Sequence, residues 1–309
     1  MKESLTVTSS AAGQRLDIFC VSKVLSLSRT ALQRAIKNGD ITVNNQVVKP
    51  RYIVRADDIV HVQLPAKTLP AAPPSSPPSP PVLYEDKDIV VINKPAGLTV
   101  QPGIANETGT ITDWFASRYP GRRGGLVHRL DKDTSGVLVL AKTDKIHAYL
   151  KQQFKKRRVK KEYLAVVFGA PKARDGRITR PLARSKRNPI RRAVPPAGLP
   201  REALAKWGKP AITEWQLEKK LGHKYALLRV FPFTGRTHQI RVHLHFLGHP
   251  IVGDRLYTFK RQHSPPGVTR QLLHAHKLTL ALLSGKRKTF TAPLPEDFQE
   301  VLSHWPPTT

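Results

Sequence analysis

The sequence predicts an α+β protein in two units, and three observations carry that prediction. A helix-helix-hairpin pattern occupies the first 64 residues. Eight of the seventeen residues from Pro65 to Pro81 are proline, and beyond residue 82 apolar strand-like runs alternate with amphipathic helical patterns. Proline at that density removes backbone donors and fixes φ, so the stretch reads as an extended, semi-rigid spacer. The predicted division is therefore 1–64, 65–81 and 82–309, within a length of 309 residues that has room for two domains.

In the first unit Leu16, Phe19 and Cys20 recur at helical spacing, and Ser28 is placed to cap a second helix carrying Leu32 and Ile36. Gly39 ends that helix. Ile41-Thr42-Val43 and Gln46-Val47-Val48 flank Asn44-Asn45, two residues that tolerate the left-handed backbone of a tight hairpin turn. Ile59 to Val62 alternates as a closing strand. Arg29, Arg34 and Lys37 make one helix face basic.

After the spacer, Asp88 to Asn93 reads as an apolar strand and Lys94-Pro95-Ala96-Gly97 as its turn. Gly124 to Val127 leads into a nine-residue polar loop, His128 to Gly136, and Val137 to Ala141 follows as a buried strand. Asp144 is placed to cap a helix bearing Ile146, Tyr149 or Leu150, and Phe154. Six of the seven residues 155–161 are basic, and the strand Glu162 to Phe168 puts Tyr163 at its mouth. Arg177 to Arg192 holds seven basic residues and no acid, which predicts a long mobile loop suited to phosphate contact or disorder. Ala211 to Trp215 and Tyr225 to Phe231 read as paired strands. Thr234 to His243 then turns a strand into a helix with Ile240, Leu244 and Leu247 on one face and Gly248 as its stop, leaving Arg236 in the corner.

Charge narrows the partners. Fifty-two Lys and Arg against twenty-two Asp and Glu leave a formal net charge of +30. Such self-repulsion implies a polyanionic partner, and its spread over folded segments interleaved with aromatics favours nucleic acid over a membrane surface. No apolar run approaches the roughly 20 residues of a membrane span, and the first residues lack a secretory pattern, so the reading is cytoplasmic. Cys20 is the only cysteine, which excludes an internal disulfide and a thiolate zinc site. Histidines 238, 243, 245 and 249 show one helical i,i+4 pair, but no neighbouring acid completes a metal-ligand set.

The nine-residue loop is the densest chemistry in the chain: two carboxylates, an Arg, a His, a Lys and two hydroxyls. Composition alone fits a solvated turn as well as a catalytic one. HRLDKDTSG resembles the catalytic loop of the RluA-type family of RNA pseudouridine synthases. The Lys94-Pro95-x-Gly97 turn, TGRTHQIRVH from Thr234, Gly253-Asp254 and Leu273-His274-Ala275 are similar to other motifs of that family. Arg15-Leu16-Asp17, Ser28-Arg29-Thr30 and Val43-Asn44-Asn45 resemble the small RNA-binding fold of ribosomal protein S4, with Asn-Asn where that family usually has Asn-Gly. The implied fold is a catalytic domain built on a mixed, mainly antiparallel sheet flanked by helices, preceded by an S4-like domain.

The implied activity is isomerisation of uridine in RNA to pseudouridine, which exchanges a C–N glycosidic bond for a C–C bond with no redox change, so neither cofactor nor metal is expected. The resemblance makes Asp131 the carboxylate that acts on the ribose, at C1′ or at the 2′ proton, with Arg236 as its guanidinium partner. Asp133 is the rival acid. Tyr163 would stack on the uracil and serve as, or assist, the final base; Arg129 would fill the space left by an extruded nucleotide; His128, Thr134 and Ile240 would line the substrate site. The S4-like domain together with HRLDKDTSG resembles the subgroup acting on large-subunit ribosomal RNA, with transfer RNA as the alternative; no obligatory protein partner is implied. Two rivals remain: a non-catalytic RNA-binding assembly factor, and a glycosidase, which generally needs two carboxylates at a set separation.

Overall fold

A computed structural model describes residues 2–23, 29–63, 79–103, 107–122, 125–185, 187–196 and 198–304. The chain divides into two compact units, Met1–Pro73 and Pro74–Thr309. The proline spacer falls largely on residues 64–78, outside the described residues, as do Ser28 and the side chains of Arg29 and Arg34.

The first unit comprises β1 (Lys2–Thr6), α1 (Leu16–Lys23), α2 (Arg29–Asn38), β2 (Ile41–Val43) and β3 (Ile59–Gln63). Leu16, Phe19, Cys20, Leu32 and Ile36 are buried together with Ile41, Val60 and Val62, so the helical spacing does face one core. Gly39 ends α2 at φ 83°, and the turn Asn44-Asn45 takes φ of 50° and 65°. Gln46 to Val48 does not form the second arm of a hairpin: the pairing stops at an isolated Val43–Gln46 bridge. β2 pairs instead with β3, which is also paired by the unanticipated β1. Burial raises the Cys20 thiol to about 11, with Asp17 adding to the shift, so this cysteine is an inert packing residue.

The second unit runs β4 (Val82–Glu85), β5 (Ile89–Lys94), α3 (Ile111–Arg118), β6 (Gly125–Leu126), β7 (Ser135–Ala141), α4 (Asp144–Lys155), β8 (Lys160–Phe168), β9 (Asp175–Ile178), β10 (Ala183–Arg184), β11 (Arg192–Ala193), α5 (Arg201–Trp207), β12 (Thr213–Leu221), β13 (Tyr225–Pro232), α6 (Gln239–Phe246), β14 (Leu273–Ala281), β15 (Arg287–Thr291) and α7 (Glu296–His304). One sheet is ordered β4-β5-β7-β14-β8-β13-β12-β9, with β15 on β14 and β6 on β7. Among the described residues its pairings are antiparallel except that of β14 with β7. The sheet is thus mixed and mainly antiparallel, with helices packed on it.

Side-chain alternation along the strands builds the layers. Val137, Val139 and Ala141 of β7 pack with Ile146 and Leu150 of α4, while Leu138 and Leu140 pack with Ile111, Trp114 and Phe115 of α3. Both faces of β7 are covered, which is why the run reads as continuously apolar. Thr143, not Asp144, is the N-cap of α4; its hydroxyl accepts from the Ile146 N–H, and Asp144 becomes the first helical residue, where its charge still suits the helix N-terminus. Lys160 and Lys161, read as the tail of the basic run, open β8. The basic stretch after Arg177 is partly tied down by the β10–β11 pairing.

β7 meets β14 through Gly136 opposite Ala275. Gly136 has φ 115°, and a Cβ there would collide with the Ala275 carbonyl. Gly136→Ala is therefore expected to remove several kcal/mol of stability, the combined result of positive φ and forced backbone displacement. A thermal melt would show it, and a melting temperature equal to that of the parent would contradict this account of the parallel junction.

Candidate active site

The 128–136 loop ends where β7 begins, and its backbone is fixed carbonyl by carbonyl. The Asp131 carbonyl accepts from the Thr134 N–H at 3.1 Å. The Lys132 carbonyl accepts from Lys94 Nζ at 2.7 Å, and the Asp133 carbonyl from Arg270 Nη1 at 3.0 Å. Lys94 is fully buried, and its ammonium also donates to the carbonyls of Pro95 and Leu98, so three hydrogens meet three acceptors. Burial pulls its pKa down to about 7, against the attraction of Asp133. Arg270 is in turn gripped by Asp297 of α7 at 2.6 and 2.8 Å. The buried Lys94 amine and Arg270 guanidinium thus hold a loop rich in exposed charge in one conformation.

That conformation directs Asp131 into a cavity of about 480 Å³, within the roughly 300–1,000 Å³ of ligand pockets. His128, Arg129, Asp131, Thr134, Tyr163, Arg236 and Ile240 all line it. Asp133 does not; it lines a second, adjacent recess instead.

The expected Asp131–Arg236 pair is not formed. Asp131 Oδ2 accepts from Arg241 Nη1 at 3.1 Å, whereas Arg236 Nε donates to the Pro210 carbonyl at 3.2 Å. The reason lies in where each arginine sits. Arg236 precedes α6 and extends along the cavity rim, while Arg241, buried within α6, is locked by Asp254 in the orientation that reaches Asp131. Asp254 receives Arg241 Nε and Nη2 at 2.7 and 2.9 Å. Its Oδ1 also accepts from the backbone N–H groups of Leu256 and Tyr257. A buried ion pair is tolerable when its remaining lone pairs are satisfied, as these are. The two carboxylates raise the Arg241 pKa despite its burial, so the guanidinium is permanently charged.

Around this pair the walls are specialised. Tyr163 packs into the sheet beside the cavity, and burial, reinforced by Asp131, raises its pKa above the usual phenol value. Its hydroxyl therefore stays protonated at neutral pH. His128 stacks on Phe154 with ring centroids 4.8 Å apart and accepts from the Val139 N–H at Nε2. Burial lowers its pKa to about 3, so it is a neutral aromatic wall. Lys161 Nζ donates to the Thr234 carbonyl, and burial lowers its pKa to about 8. Arg129 is exposed at the lip. Thr134, 2% exposed, accepts from Gln271 and shapes the loop more than the cavity surface.

The four clustered histidines have separate partners. His238 Nδ1 meets the Tyr257 hydroxyl, His243 lies between Thr213 Oγ1 and the Arg180 carbonyl, His245 packs on Phe259, and His249 reaches the Phe168 carbonyl. Among the described residues no group of three His, Cys, Asp or Glu could hold a metal ion. His243 and His274 are fully buried, and burial lowers each pKa to about 4. Both folded values lie below the unfolded value near 6.5, so between about pH 6.5 and 4 the unfolded chain binds protons that the folded chain refuses. Stability present above pH 6.5 is thus lost on acidification, by roughly 1–2 kcal/mol per histidine at pH 5. Melting temperatures between pH 7 and 5 should fall, and a flat profile would contradict the neutral assignment.

Sequence reading missed Arg241, Asp254, His238 and Lys161. A signal existed for the first: Arg241 lies three positions before Leu244, at the edge of the helix's apolar face, and an arginine buried there needs an acid.

A carboxylate–guanidinium pair in an aromatic-walled cavity, on a chain of formal charge +30, is the frame of an enzyme acting on a polyanion. Comparison with known proteins specifies the class. Residues 88–246 match the family model for RNA pseudouridylate synthase, and residues 14–60 match that of the S4 domain. A protein of Xanthomonas campestris named ribosomal large subunit pseudouridine synthase D is 38% identical over 96% of this chain and 90% of its own. The Haemophilus ducreyi ribosomal large subunit pseudouridine synthase C is 33% identical over 96% and 94%. The solved human RNA pseudouridylate synthase domain containing 4 covers 72% of this chain and 92% of its own, at 28% identity and a TM-score of 0.60. The chain belongs to the RNA pseudouridine synthase family, as an isomerase with an N-terminal S4 domain.

Proposed function

We propose that this enzyme isomerises specific uridines of large-subunit ribosomal RNA in the cytoplasm, with Asp131 acting on the ribose of an extruded nucleotide. The proposal takes residues 1–64 and 82–309 as separate RNA-binding and catalytic domains joined by the 65–81 spacer. The observation that carries the site is the posture of Asp131: Arg241 occupies Oδ2, while among the described residues no hydrogen bond takes Oδ1. One oxygen is anchored and the other is left to the substrate. The relatives' names supply the RNA class.

The reaction breaks N1–C1′ and forms C5–C1′, with the C5 proton lost and a proton gained at N1. Asp131 would engage C1′ directly or take the 2′ proton. The uracil, once detached, must turn without escaping, and the planar walls of Tyr163 and the His128–Phe154 stack suit that task, with Ile240 closing the apolar side. A protonated phenol favours stacking by Tyr163 over service as the base. Extrusion of the nucleotide costs a few kcal/mol of stacking, which Arg129 at the lip would offset by stacking its guanidinium on the neighbouring bases. Arg236 at the rim would meet the RNA backbone.

Mapping pseudouridines in cellular ribosomal and transfer RNA with and without the gene tests the assignment. The expected result is loss of one or a few large-subunit sites; loss confined to transfer RNA would overturn the substrate class, and free uracil as product would overturn isomerisation.

A further inference from the structure

The geometry points to His238 as a positioning residue for the Asp131 carboxylate, held by Tyr257 in the tautomer that presents an Nε2–H to it. This inference rests on the reading of Asp131 as the catalytic acid.

The direction of each proton follows from the partners. Tyr257 is 2% exposed, so its hydroxyl hydrogen needs an acceptor. Among the described residues its oxygen has two hydrogen-bonding neighbours: the Arg192 backbone N–H at 2.7 Å and His238 Nδ1 at 2.9 Å. The amide can only donate, so the phenolic hydrogen goes to Nδ1. A neutral imidazole that accepts at Nδ1 carries its proton at Nε2. Nε2 stands 4.0 Å from Asp131 Oδ2, the same oxygen that Arg241 holds at 3.1 Å. Burial keeps the imidazole neutral, against the attraction of Asp131, with Arg241, Asp254 and Arg192 as the other charges that face it.

The backbone bears out a demand on this position. His238 takes φ 57° and ψ 20° as the residue that opens α6, a left-handed conformation adopted by few side-chain-bearing residues. Asparagine tolerates that conformation better than histidine or glutamine does. The chain nevertheless has a ring there whose far nitrogen faces the acid. The relay also runs outward: the Arg192 amide that orients Tyr257 belongs to β11, in the basic stretch on the catalytic domain. Arg241 holds Oδ2 at 3.1 Å, His238 Nε2 stands 4.0 Å from the same oxygen, and Oδ1 is left to the ribose.

Two substitutions separate the donor from the backbone. His238→Asn keeps the left-handed turn and an acceptor for Tyr257 but has no donor that extends to Asp131. His238→Gln places an amide N–H where Nε2 stood, on a residue less suited to the turn. Single-turnover rates on a ribosomal RNA fragment carrying C5-tritiated uridine, with RNA affinity measured separately, are compared for both and for Asp131→Asn. The expected order is parent, then His238→Gln, then His238→Asn, with the Asn variant slowed about 10- to 100-fold at unchanged RNA affinity. A rate for His238→Asn equal to or above that of His238→Gln would overturn the donor role and leave a turn-forming one. Turnover by Asp131→Asn would instead overturn the reading of Asp131 itself, so the two failures are distinguishable.

Discussion

Arg241→Leu is expected to damage both stability and turnover. The guanidinium satisfies Asp254, whose side chain is fully buried, and Asp131, whose side chain is 18% exposed. Removing it leaves the Asp254 charge in the interior with, among the described residues, the N–H groups of Leu256 and Tyr257 as its remaining donors, a situation that typically destabilises by about 3–5 kcal/mol. Turnover should fall by at least about 100-fold because Asp131 loses the contact that orients it. The two effects are separable. Adding Asp254→Leu removes the orphaned charge and should recover most of the melting temperature, since replacing a whole buried pair by apolar residues is often neutral or better. It should recover none of the turnover. A double variant that regained activity would show that Arg241 matters only for folding.

Asp131→Asn has the larger expected effect on rate and the smaller on structure. The amide is isosteric, Arg241 keeps Asp254, and the loop backbone remains fixed by Lys94 and Arg270, so stability should change by less than about 1 kcal/mol. RNA affinity should hold, because the basic surface and cavity walls are untouched. The chemical step should fall by at least about 10⁴-fold, the scale seen when a reacting group is removed from an otherwise intact site.

Much of this architecture was legible because local rules and the tertiary fold agree. The buried run 137–141, the turn glycines at 39, 97 and 248, and the Asn44-Asn45 turn follow from periodicity and backbone sterics alone. All seven residues singled out for the site do reach one cavity. What failed was pairing between distant segments. Two arginines five positions apart lie in one motif, and nothing in it says which faces Asp131. That choice is made by Asp254, which lies beyond α6 and fixes Arg241 on it, and by Pro210, which engages Arg236. Gln46 to Val48 read as a strand because its apolar content is local, while β2 actually pairs with β3, whose other neighbour is the N-terminal β1, a strand whose polar residues gave no such signal. His238 was masked for a similar reason: a histidine beside other histidines suggests ligands, and only the placement of Tyr257 beside it gives its proton a direction.

The central claim is that a carboxylate anchored by Arg241 works on the ribose of a uridine drawn out of its RNA. Tritium release from C5-labelled uridine in large-subunit ribosomal RNA, compared for the parent and Asp131→Asn at equal RNA occupancy, tests it most directly. The account predicts release by the parent, with pseudouridine recovered at the labelled site, and none above background from the variant. Release by the variant at the rate of the parent would contradict it.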